Sequence, residues 1–267
     1  MPPEMDKNFR IFVGWDSRED RAYQVCRHSL QTRASGPILV KPLKQDALRE
    51  QGIYTRNVDP LASTEFTFTR FLVPHLAGYE GWALFCDCDF LWLQDVFKLA
   101  QMVDDRYAIM CVHHDHHPPE ERKMDGRLQT QYPRKNWSSM VLYNCGHPAN
   151  AVLTPDLVNE ETGLFLHRFQ WLDDSLIGSL PVDWNWLEGW SNTPKSGFPN
   201  AIHFTRGGPW FEEWSNVEFA KLWNKEHKEW RAAGGSEMCE VFDFWFHECT
   251  HELRFRGDAK FDQALRK

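Results

Sequence analysis

The sequence predicts an α/β domain with a largely parallel sheet. Apolar, strand-like segments alternate along the chain with segments of helical period, and several of the strand-like segments end abruptly in polar or glycine residues. The chain has 267 residues, enough for one large domain with a substantial core. We therefore predict a single domain over residues 1–267, with residues 216–267 as a C-terminal helical extension packed on it.

The elements are predicted in chain order from period and composition. Strand-like apolar runs occupy residues 9–14, 37–43, 83–86, 107–112 and 140–145. Helical periods occupy residues 18–32, 66–76 and 95–103. Residues beyond 216 are rich in Trp, Phe and charged residues, which favours helices without a clear linker before them.

Composition excludes several classes of protein. The net charge of −8 argues against general nucleic-acid binding, which needs a basic surface. The N-terminus has no apolar signal core, and no run approaches 18 uninterrupted apolar residues, so we expect no transmembrane segment. The seven cysteines form no Cys-x-x-Cys pair, which favours reduced, buried thiols in a cytoplasmic protein.

Two carboxylates at the end of an apolar strand are the most informative feature. The run at 83–86 stops at Asp87-Cys88-Asp89. Side chains two apart on an extended backbone point the same way, with Cα atoms roughly 6.6 Å apart. One hard divalent cation, with oxygen ligands about 2.1 Å away, bridges such a gap and relieves the repulsion between the carboxylates. The pattern predicts Mg²⁺ or Mn²⁺ held against a phosphate.

A second feature supplies a third candidate ligand. A short apolar strand delivers His203, and the glycines Gly207 and Gly208 follow, which let the backbone approach an anion closely. Imidazole is a good ligand for Mn²⁺ beside two carboxylates. The alternative is a histidine that merely caps a strand before a turn. Ligands of α/β sheets bind at the carboxyl ends of strands, so Gly14-Trp15-Asp16 and Asp87–Asp89 are expected to share one cleft.

In this order the motifs resemble those of retaining GT-A glycosyltransferases, most nearly family 8, the glycogenin and lipooligosaccharide galactosyltransferase type. The resemblance covers residues 9–212. The residues that carry it are Gly14-Trp15-Asp16, Thr69-Arg70-Phe71, Asp87-x-Asp89, Asp173-Asp174 and His203-x₅-Pro209-Trp210.

The resemblance implies a GT-A fold, a Rossmann-like nucleotide-binding sheet flanked by helices. It implies Mn²⁺ (or Mg²⁺) on Asp87, Asp89 and His203, bound to the diphosphate of a UDP-linked sugar. Asp16 would contact the nucleobase, and Arg70 the diphosphate or the donor sugar. The loop after His203 would close over the phosphates. In full, the residues expected to bind the donor are Gly14, Trp15, Asp16, Arg70, Asp87, Ser138, Ser139, Arg206, Gly207 and Gly208.

The chain departs from the family pattern at three places. The family usually has a lysine before Pro-Trp, whereas this chain has Gly208 there and a loop one residue shorter, so we hypothesise that Arg206 supplies the cation. Ser138-Ser139-Met140 replaces the common Asn-Ser/Ala-Gly. Asp173-Asp174 replaces Asp-Gln, which would place Asp174 near the anomeric carbon.

Asp173 and Asp174 are therefore the predicted catalytic residues. A carboxylate near the anomeric carbon could act as nucleophile in a double displacement. It could equally stabilise an oxocarbenium-like state during front-face attack. A third interpretation is structural: the two residues would cap a helix over residues 175–180.

Three further segments have open interpretations. The run from His113 to His117 could bind zinc, contact the acceptor or form a plain loop. Trp184, Trp186 and Trp190 could form a platform for an acceptor sugar or pack in the core. The Lys/Trp helix after residue 220 could touch a membrane surface or be a solvated helix.

The sequence thus predicts a metal-dependent, retaining glycosyltransferase that moves a hexose-type sugar from a nucleotide sugar to a glycan or lipid-linked glycan acceptor, as in surface polysaccharide synthesis. We expect a cytoplasmic enzyme, with contact to the inner face of the membrane as a further alternative. A nucleotidyltransferase acting on sugar phosphates is the second hypothesis, although no glycine- and basic-rich N-terminal loop is present. A non-catalytic carbohydrate-binding module is the third.

Overall fold

The computed structural model describes residues 9–59, 62–115, 134, 136–192 and 197–236. The strands in this part of the chain are β1 Phe9–Gly14, β2 Ile38–Leu43, β3 Trp82–Cys86, β4 Phe90–Trp92, β5 Ile109–Val112, β6 Met140–Asn144, β7 Ile177–Leu180, β8 Trp186–Leu187 and β9 Ala201–His203. The α-helices are α1 Asp20–Arg33, α2 Gln45–Glu50, α3 Val73–Leu76, α4 Val96–Ala100, α5 Pro155–Glu160, α6 Gly163–His167 and α7 Ala220–Ala232. Short 3₁₀ turns include Ser17–Glu19, Thr69–Leu72, Trp137–Ser139, Asp174–Leu176, Val182–Trp184 and Glu212–Trp214.

A six-stranded sheet forms the centre of the molecule, in the order β2-β1-β3-β6-β5-β7. β1 pairs in parallel with both β2 and β3, and β5 pairs in parallel with β7. β6 alone runs the other way, antiparallel to β3 and β5. The predicted largely parallel α/β sheet is confirmed. Because the chain leaves β1 for one neighbour and returns to the other, the topological switch point lies between β1 and β3.

A second, three-stranded sheet in the order β4-β9-β8 stands next to the carboxyl end of β3. β4 begins one residue after Asp89 and pairs antiparallel with β9, with Phe90 opposite His203. This register brings a residue from late in the chain beside the end of β3. The small sheet therefore decides the position of the predicted third metal ligand.

The core explains why these segments fold as they do. Every residue of β3 is buried, as expected for a strand covered on both faces. α1 buries its apolar face, which includes Ala22, Val25 and Leu30, and the buried Ser29 hydroxyl accepts a hydrogen bond from the Trp92 amide. Pro42 is tolerated in β2 because that strand lies at the sheet edge.

Two predicted elements differ from the structure. Residues 175–180 are not a helix: a 3₁₀ turn at Asp174–Leu176 leads into β7, which pairs with β5. Ile177, Gly178 and Leu180 are buried in this strand, and the edge of β5 supplies its hydrogen bonds. The predicted helix at 66–76 is a 3₁₀ turn over Thr69–Leu72 followed by one α-turn, α3.

α7 packs against α1 through the buried ring of Trp223 and a buried carboxylate. Glu226 is 3% exposed and accepts hydrogen bonds from Arg33 Nη2 at 2.6 Å and His28 Nδ1 at 2.7 Å. Residues 237–267 of the predicted extension lie outside the described residues, so its extent stays a prediction.

Nothing in the described part of the chain is a helix long and apolar enough to cross a membrane. Trp223 and Trp230 of α7 are both buried, which leaves the lysines of this helix as its exposed face. The structure therefore does not support the alternative in which this helix inserts into a membrane surface.

We predict that Glu226→Gln lowers the free energy of unfolding by about 1–3 kcal/mol, because it leaves partly buried donors of Arg33 and His28 poorly paired. Burial raises the pKa of Glu226, but the hydrogen bonds and charge of Arg33 outweigh it, so the pKa lies below its ordinary 4.5. This stabilisation is therefore present above about pH 4.5 and lost as the pH falls through the folded-state pKa.

Denaturant titrations from neutral to acidic pH would measure the effect. Glu229→Gln, on the exposed face of the same helix, is the matched control and is expected to change stability by less than about 0.5 kcal/mol. Equal losses for the two variants, or a loss for Glu226→Gln that does not shrink in acid, would contradict the prediction.

Candidate functional site

A cavity of about 400 Å³ opens at the carboxyl ends of β1 and β3, where the large and small sheets meet. Its position at the switch point is the one where open α/β sheets bind ligands. The residues that line it are Arg18, Glu19, Ser63, Thr64, Phe66, Arg70, Asp87, Asp89, Asn136, Ser138, Ser139, His167, His203, Phe204, Thr205, Arg206, Gly207, Phe211, Glu213 and Trp214.

Asp87, Asp89 and His203 converge in this cavity. One ligand atom from each lies within 4.8 Å of the others, and His203 Nε2 is 3.3 Å from Asp89 Oδ2. Carboxylate oxygens with one imidazole nitrogen form a donor set suited to Mn²⁺ or Mg²⁺. The residues present therefore fit a divalent cation. Among the described residues this is the one group of three or more candidate ligands.

Backbone hydrogen bonds hold the two residues that carry the carboxylates in place. The Asp87 amide donates to the Ser139 carbonyl at 2.9 Å, and the Phe204 amide donates to the Asp89 carbonyl at 3.0 Å. Cys88 and Asp89 form a turn rather than a continuation of the strand, and Cys88 is fully buried in the core and does not line the cavity. Burial, and next the nearby carboxylates, raise the pKa of the Cys88 thiol well above its usual range, so it stays protonated.

Arg70 supplies positive charge at the floor of the cavity. It is 5% exposed, and its Nη1 lies 2.8 Å from Asp87 Oδ1 and donates to the Ser138 carbonyl at 2.9 Å. Its guanidinium lies over the rings of both Phe66 and Phe85, at 5.2 and 5.1 Å from their centroids. Arg70 is thus held rigidly beside the cluster, where it can contact a bound anion.

Asp16 does not line the cavity. It is fully buried, and its two oxygens accept hydrogen bonds from the Arg18 side chain and from the amides of Arg18 and Glu65, at 2.8–3.1 Å. Burial raises its pKa, but the Arg18 hydrogen bonds outweigh it, so the pKa lies below the ordinary value. Arg18, and not Asp16, faces the cavity. The nucleobase contact of Asp16 stays a prediction.

Gly14 and Trp15 support the cavity from behind its wall. A Cβ at Gly14 would lie 2.4 Å from the Phe66 ring, so glycine is required for the ring to reach the cavity. Trp15 Nε1 donates to Asp20 at 2.8 Å, and the Lys44 ammonium lies 4.5 Å from the Trp15 ring. Neither residue lines the cavity, and their predicted donor contacts remain untested.

The loop after His203 forms the opposite wall. Arg206 Nη2 donates to the buried Glu188 carboxylate at 2.9 Å, and its guanidinium lies 5.2 Å from the Trp214 ring. Gly207 has a φ of +127°, and a Cβ at Gly208 would lie 2.1 Å from the Trp210 ring. Arg206 thus lines the cavity as predicted, but its charge is already paired with Glu188.

Ser138 and Ser139 reach the cavity, yet both hydroxyls have protein partners. Ser138 Oγ lies 2.8 Å from His167 Nδ1, and Ser139 Oγ accepts a hydrogen bond from Asn185 Nδ2 at 2.9 Å. Asn185 in turn lies 3.0 Å from His203 Nδ1 through its Oδ1. His167 and Asn185 carry no sequence signal of their own, since each is a lone polar residue that only the tertiary fold brings to the site.

Asp173 and Asp174 lie outside the residues that line the cavity. Both are exposed, and the Asp174 side chain, 87% exposed, forms an ion pair with Arg134. The structure thus does not bring them to the metal cluster. Their catalytic role stays a prediction that requires the loop carrying them to approach the donor.

The remaining candidate segments fall mainly outside the site. His113 stacks on Trp137 with ring centroids 4.0 Å apart, whereas residues 116 and 117 lie outside the described residues. Trp184 and Trp186 are each 1% exposed, so they pack in the core and cannot form an acceptor platform. Trp190 is half-buried. At the cavity mouth, Trp214 is the tryptophan that lines the wall.

No protein-family model matches this chain. Protein CDI of Arabidopsis thaliana is 56% identical to it over 234 residues, which cover 86% of this chain and 90% of that protein. The chain belongs to the Protein CDI family. That name states no reaction, so the chemistry of this CDI-family protein is argued from its fold and its site.

The fold of this CDI-family protein is similar to those of solved glycosyltransferases. WbbM, a bifunctional glycosyltransferase, matches 85% of the chain with a TM-score of 0.57 and 14% identity. GlyE of Streptococcus pneumoniae TIGR4 matches 86% with a TM-score of 0.56 and 14% identity. The chain spans 50% of the length of WbbM and 64% of that of GlyE. The galactosyltransferase LgtC matches 84% of the chain, and 99% of its own length, with a TM-score of 0.50 and 10% identity. The fold is therefore the GT-A glycosyltransferase fold, as the sequence predicted.

We predict that Gly14→Ala destabilises the protein by about 1–3 kcal/mol and displaces Phe66 from the cavity wall, because the new methyl group overlaps the ring. Thermal unfolding and ligand titration would measure both effects. Gly146→Ala is the matched control, since its Cβ would find no atom nearer than 3.6 Å. Equal stability of the two variants would show that Phe66 moves at no cost.

Proposed function

We propose that this protein is a metal-dependent glycosyltransferase that uses a nucleotide sugar, with a UDP-linked hexose as the expected donor. The proposal includes Mn²⁺ as the expected ion, retention of the anomeric configuration, and a glycan or lipid-linked glycan as acceptor. Retention and membership of glycosyltransferase family 8 are supported by the motif resemblance and not by the fold comparison.

The convergence of Asp87, Asp89 and His203 at the switch point of a GT-A fold carries this proposal. A cation on such a donor set can neutralise the charge of a diphosphate. It is what a site needs if a diphosphate must be held and must leave with its negative charge neutralised.

Different residues would hold the cation and stabilise the leaving diphosphate. The three side chains of the cluster would hold the cation, which when bound stabilises the charge that builds on a departing nucleoside diphosphate. Arg70, fixed by Asp87 and the Ser138 carbonyl, adds a second positive charge at the same point. No proton donor to the leaving group is then required.

The mouth of the cavity favours a sugar acceptor. Trp214 and Phe211 present aromatic rings there, and Glu213 adds a carboxylate that can accept hydrogen bonds from sugar hydroxyls. The guanidinium of Arg206, which is paired with Glu188, packs against the Trp214 ring. We therefore assign acceptor binding to this rim, in place of Trp184 and Trp186.

A nucleotidyltransferase acting on sugar phosphates would use similar paired carboxylates. The structure favours the glycosyltransferase because a buried, acidic and bulky turn follows β1, where a nucleotidyltransferase would need a glycine-rich basic loop. Incubation with sugar phosphates and nucleoside triphosphates, followed by assay for pyrophosphate, tests the alternative.

We predict that wild-type protein with Mn²⁺ releases UDP from a UDP-sugar, and that Asp89→Asn slows this release at least about 100-fold by removing one charged ligand of the cation. Removal of the metal with EDTA should stop release, and added Mn²⁺ should restore it. The measurement is a coupled UDP assay across a panel of UDP-sugars. Asp46→Asn, which changes an exposed carboxylate outside the cavity lining, is the control and should keep full activity. Metal-independent release, or equal rates for both variants, would contradict the proposal.

The catalytic role proposed for Asp174 predicts that Asp174→Asn loses turnover while it still binds the donor, because the amide cannot act as a nucleophile. Turnover and donor affinity would be measured separately, by the UDP assay and by calorimetry. Arg134→Gln, which removes the ion pair but keeps the Asp174 carboxylate, is the control for loss of the ion pair alone. Retained turnover in Asp174→Asn would remove this residue from the mechanism.

A further inference from the structure

We propose that Asn185 is a positioning residue that fixes the proton of His203 on Nδ1 and so presents the lone pair of Nε2 to Asp87 and Asp89. The inference rests on the proposed function, since it concerns the same metal cluster. No sequence motif marks Asn185, yet in this proposal its hydrogen bond prepares His203 to bind a metal ion.

The argument starts from a chain of buried hydrogen bonds. Ser139 Oγ lies 2.7 Å from the Asn136 carbonyl, Asn185 Nδ2 lies 2.9 Å from Ser139 Oγ, and Asn185 Oδ1 lies 3.0 Å from His203 Nδ1. Asn185 is fully buried, and Ser139 and His203 are 3% and 2% exposed. The three side chains are therefore shielded from water that could satisfy them in another arrangement.

The direction of each bond follows from what each group can donate. The Asn136 carbonyl can only accept, so the single hydroxyl proton of Ser139 points to it. Ser139 Oγ must then accept from its other neighbour, which places the NH₂ group of Asn185 on the serine side. The Asn185 carbonyl oxygen consequently faces His203. Since that oxygen can only accept, the proton of the imidazole must be on Nδ1.

The consequence for the metal cluster is direct. A neutral imidazole carries one N–H, so a proton fixed on Nδ1 leaves Nε2 as a lone pair. Nε2 is the atom that lies 3.3 Å from Asp89 Oδ2, on the cluster side of the ring. If the amide of Asn185 were flipped, its NH₂ group would face Nδ1 and favour the opposite tautomer, whose Nε2 proton blocks a cation.

The ring is also held in orientation by its neighbours. Phe90 stacks on His203 with centroids 4.5 Å apart and an interplanar angle of 17°. The stack fixes the plane of the imidazole, and Asn185 fixes its rotation within that plane. Hydrogen-bond partners of metal-ligating histidines commonly change metal affinity by about 10–100-fold when removed. Burying an amide costs free energy where an apolar side chain could fill the space. The orientation of His203 is the physical reason for placing an amide here.

The test uses full-length protein with two substitutions that keep the number of side-chain heavy atoms and the branching at Cγ. Asn185→Leu removes the acceptor of the Nδ1 proton, whereas Asn185→Asp keeps an oxygen in the same place. Asn150→Leu is the control, because Asn150 is also fully buried and hydrogen-bonded but bonds only backbone carbonyls and Trp171 away from the cluster. The readouts are the affinity for Mn²⁺, from electron paramagnetic resonance titration, and the ¹⁵N chemical shifts of His203 in metal-free protein under mildly alkaline conditions.

We expect metal-free wild type and Asn185→Asp to show the Nδ1–H tautomer and Asn185→Leu to lose it. We expect Asn185→Leu to weaken Mn²⁺ binding about 10–100-fold, while Asn185→Asp binds at least as tightly as wild type. Asn150→Leu should lower thermal stability without changing Mn²⁺ affinity. Wild-type affinity in Asn185→Leu, or an Nε2–H tautomer in wild type, would overturn the inference. Failure of the wild type to bind Mn²⁺ would instead overturn the metal-dependent function, while the nitrogen shifts would still decide the role of Asn185.

Discussion

The site depends on one packing constraint, the antiparallel pairing of β4 with β9. β4 follows the two carboxylates at the end of β3, and its partner ends in His203, so a single register places three ligand side chains around one point. Two carboxylates so close together at the end of a buried strand repel each other, and this raises the free energy of the folded protein unless positive charge compensates. Arg70 offsets part of that repulsion and leaves the cavity side of the cluster for a cation.

The rest of the fold holds the metal cluster in place. The large sheet supplies the switch point between β1 and β3, and buried aromatic rings fix Arg70 and His203 in place. Glycines at positions 14 and 208 make room for the rings of Phe66 and Trp210. Rigid supports of this kind suit a site that must be organised before its ligand arrives, because preorganised charge need not be reoriented during the reaction.

The sequence predicted those features that are encoded locally. The strand before Asp87 and the strand that ends at His203 are visible as apolar runs. The spacing of the carboxylates Asp87 and Asp89 predicts cation binding even when the fold is unknown. The sequence did not reveal features that depend on long-range packing. The strand at 177–180 forms because β5 offers an edge, and the sequestration of Asp16 depends on the loop that contains Glu65. The relay through Asn185 joins residues far apart in the chain, so no spacing rule reveals it.

The central claim is that the cluster binds one divalent cation that in turn holds a nucleoside diphosphate. Isothermal titration calorimetry of UDP into the protein, with and without Mn²⁺, tests it most directly. The account predicts that UDP binds with one-to-one stoichiometry in the presence of Mn²⁺, and that binding is lost in Asp89→Asn or when the metal is withheld. UDP binding of equal strength with and without the metal, or no uptake of Mn²⁺ at all, would contradict it.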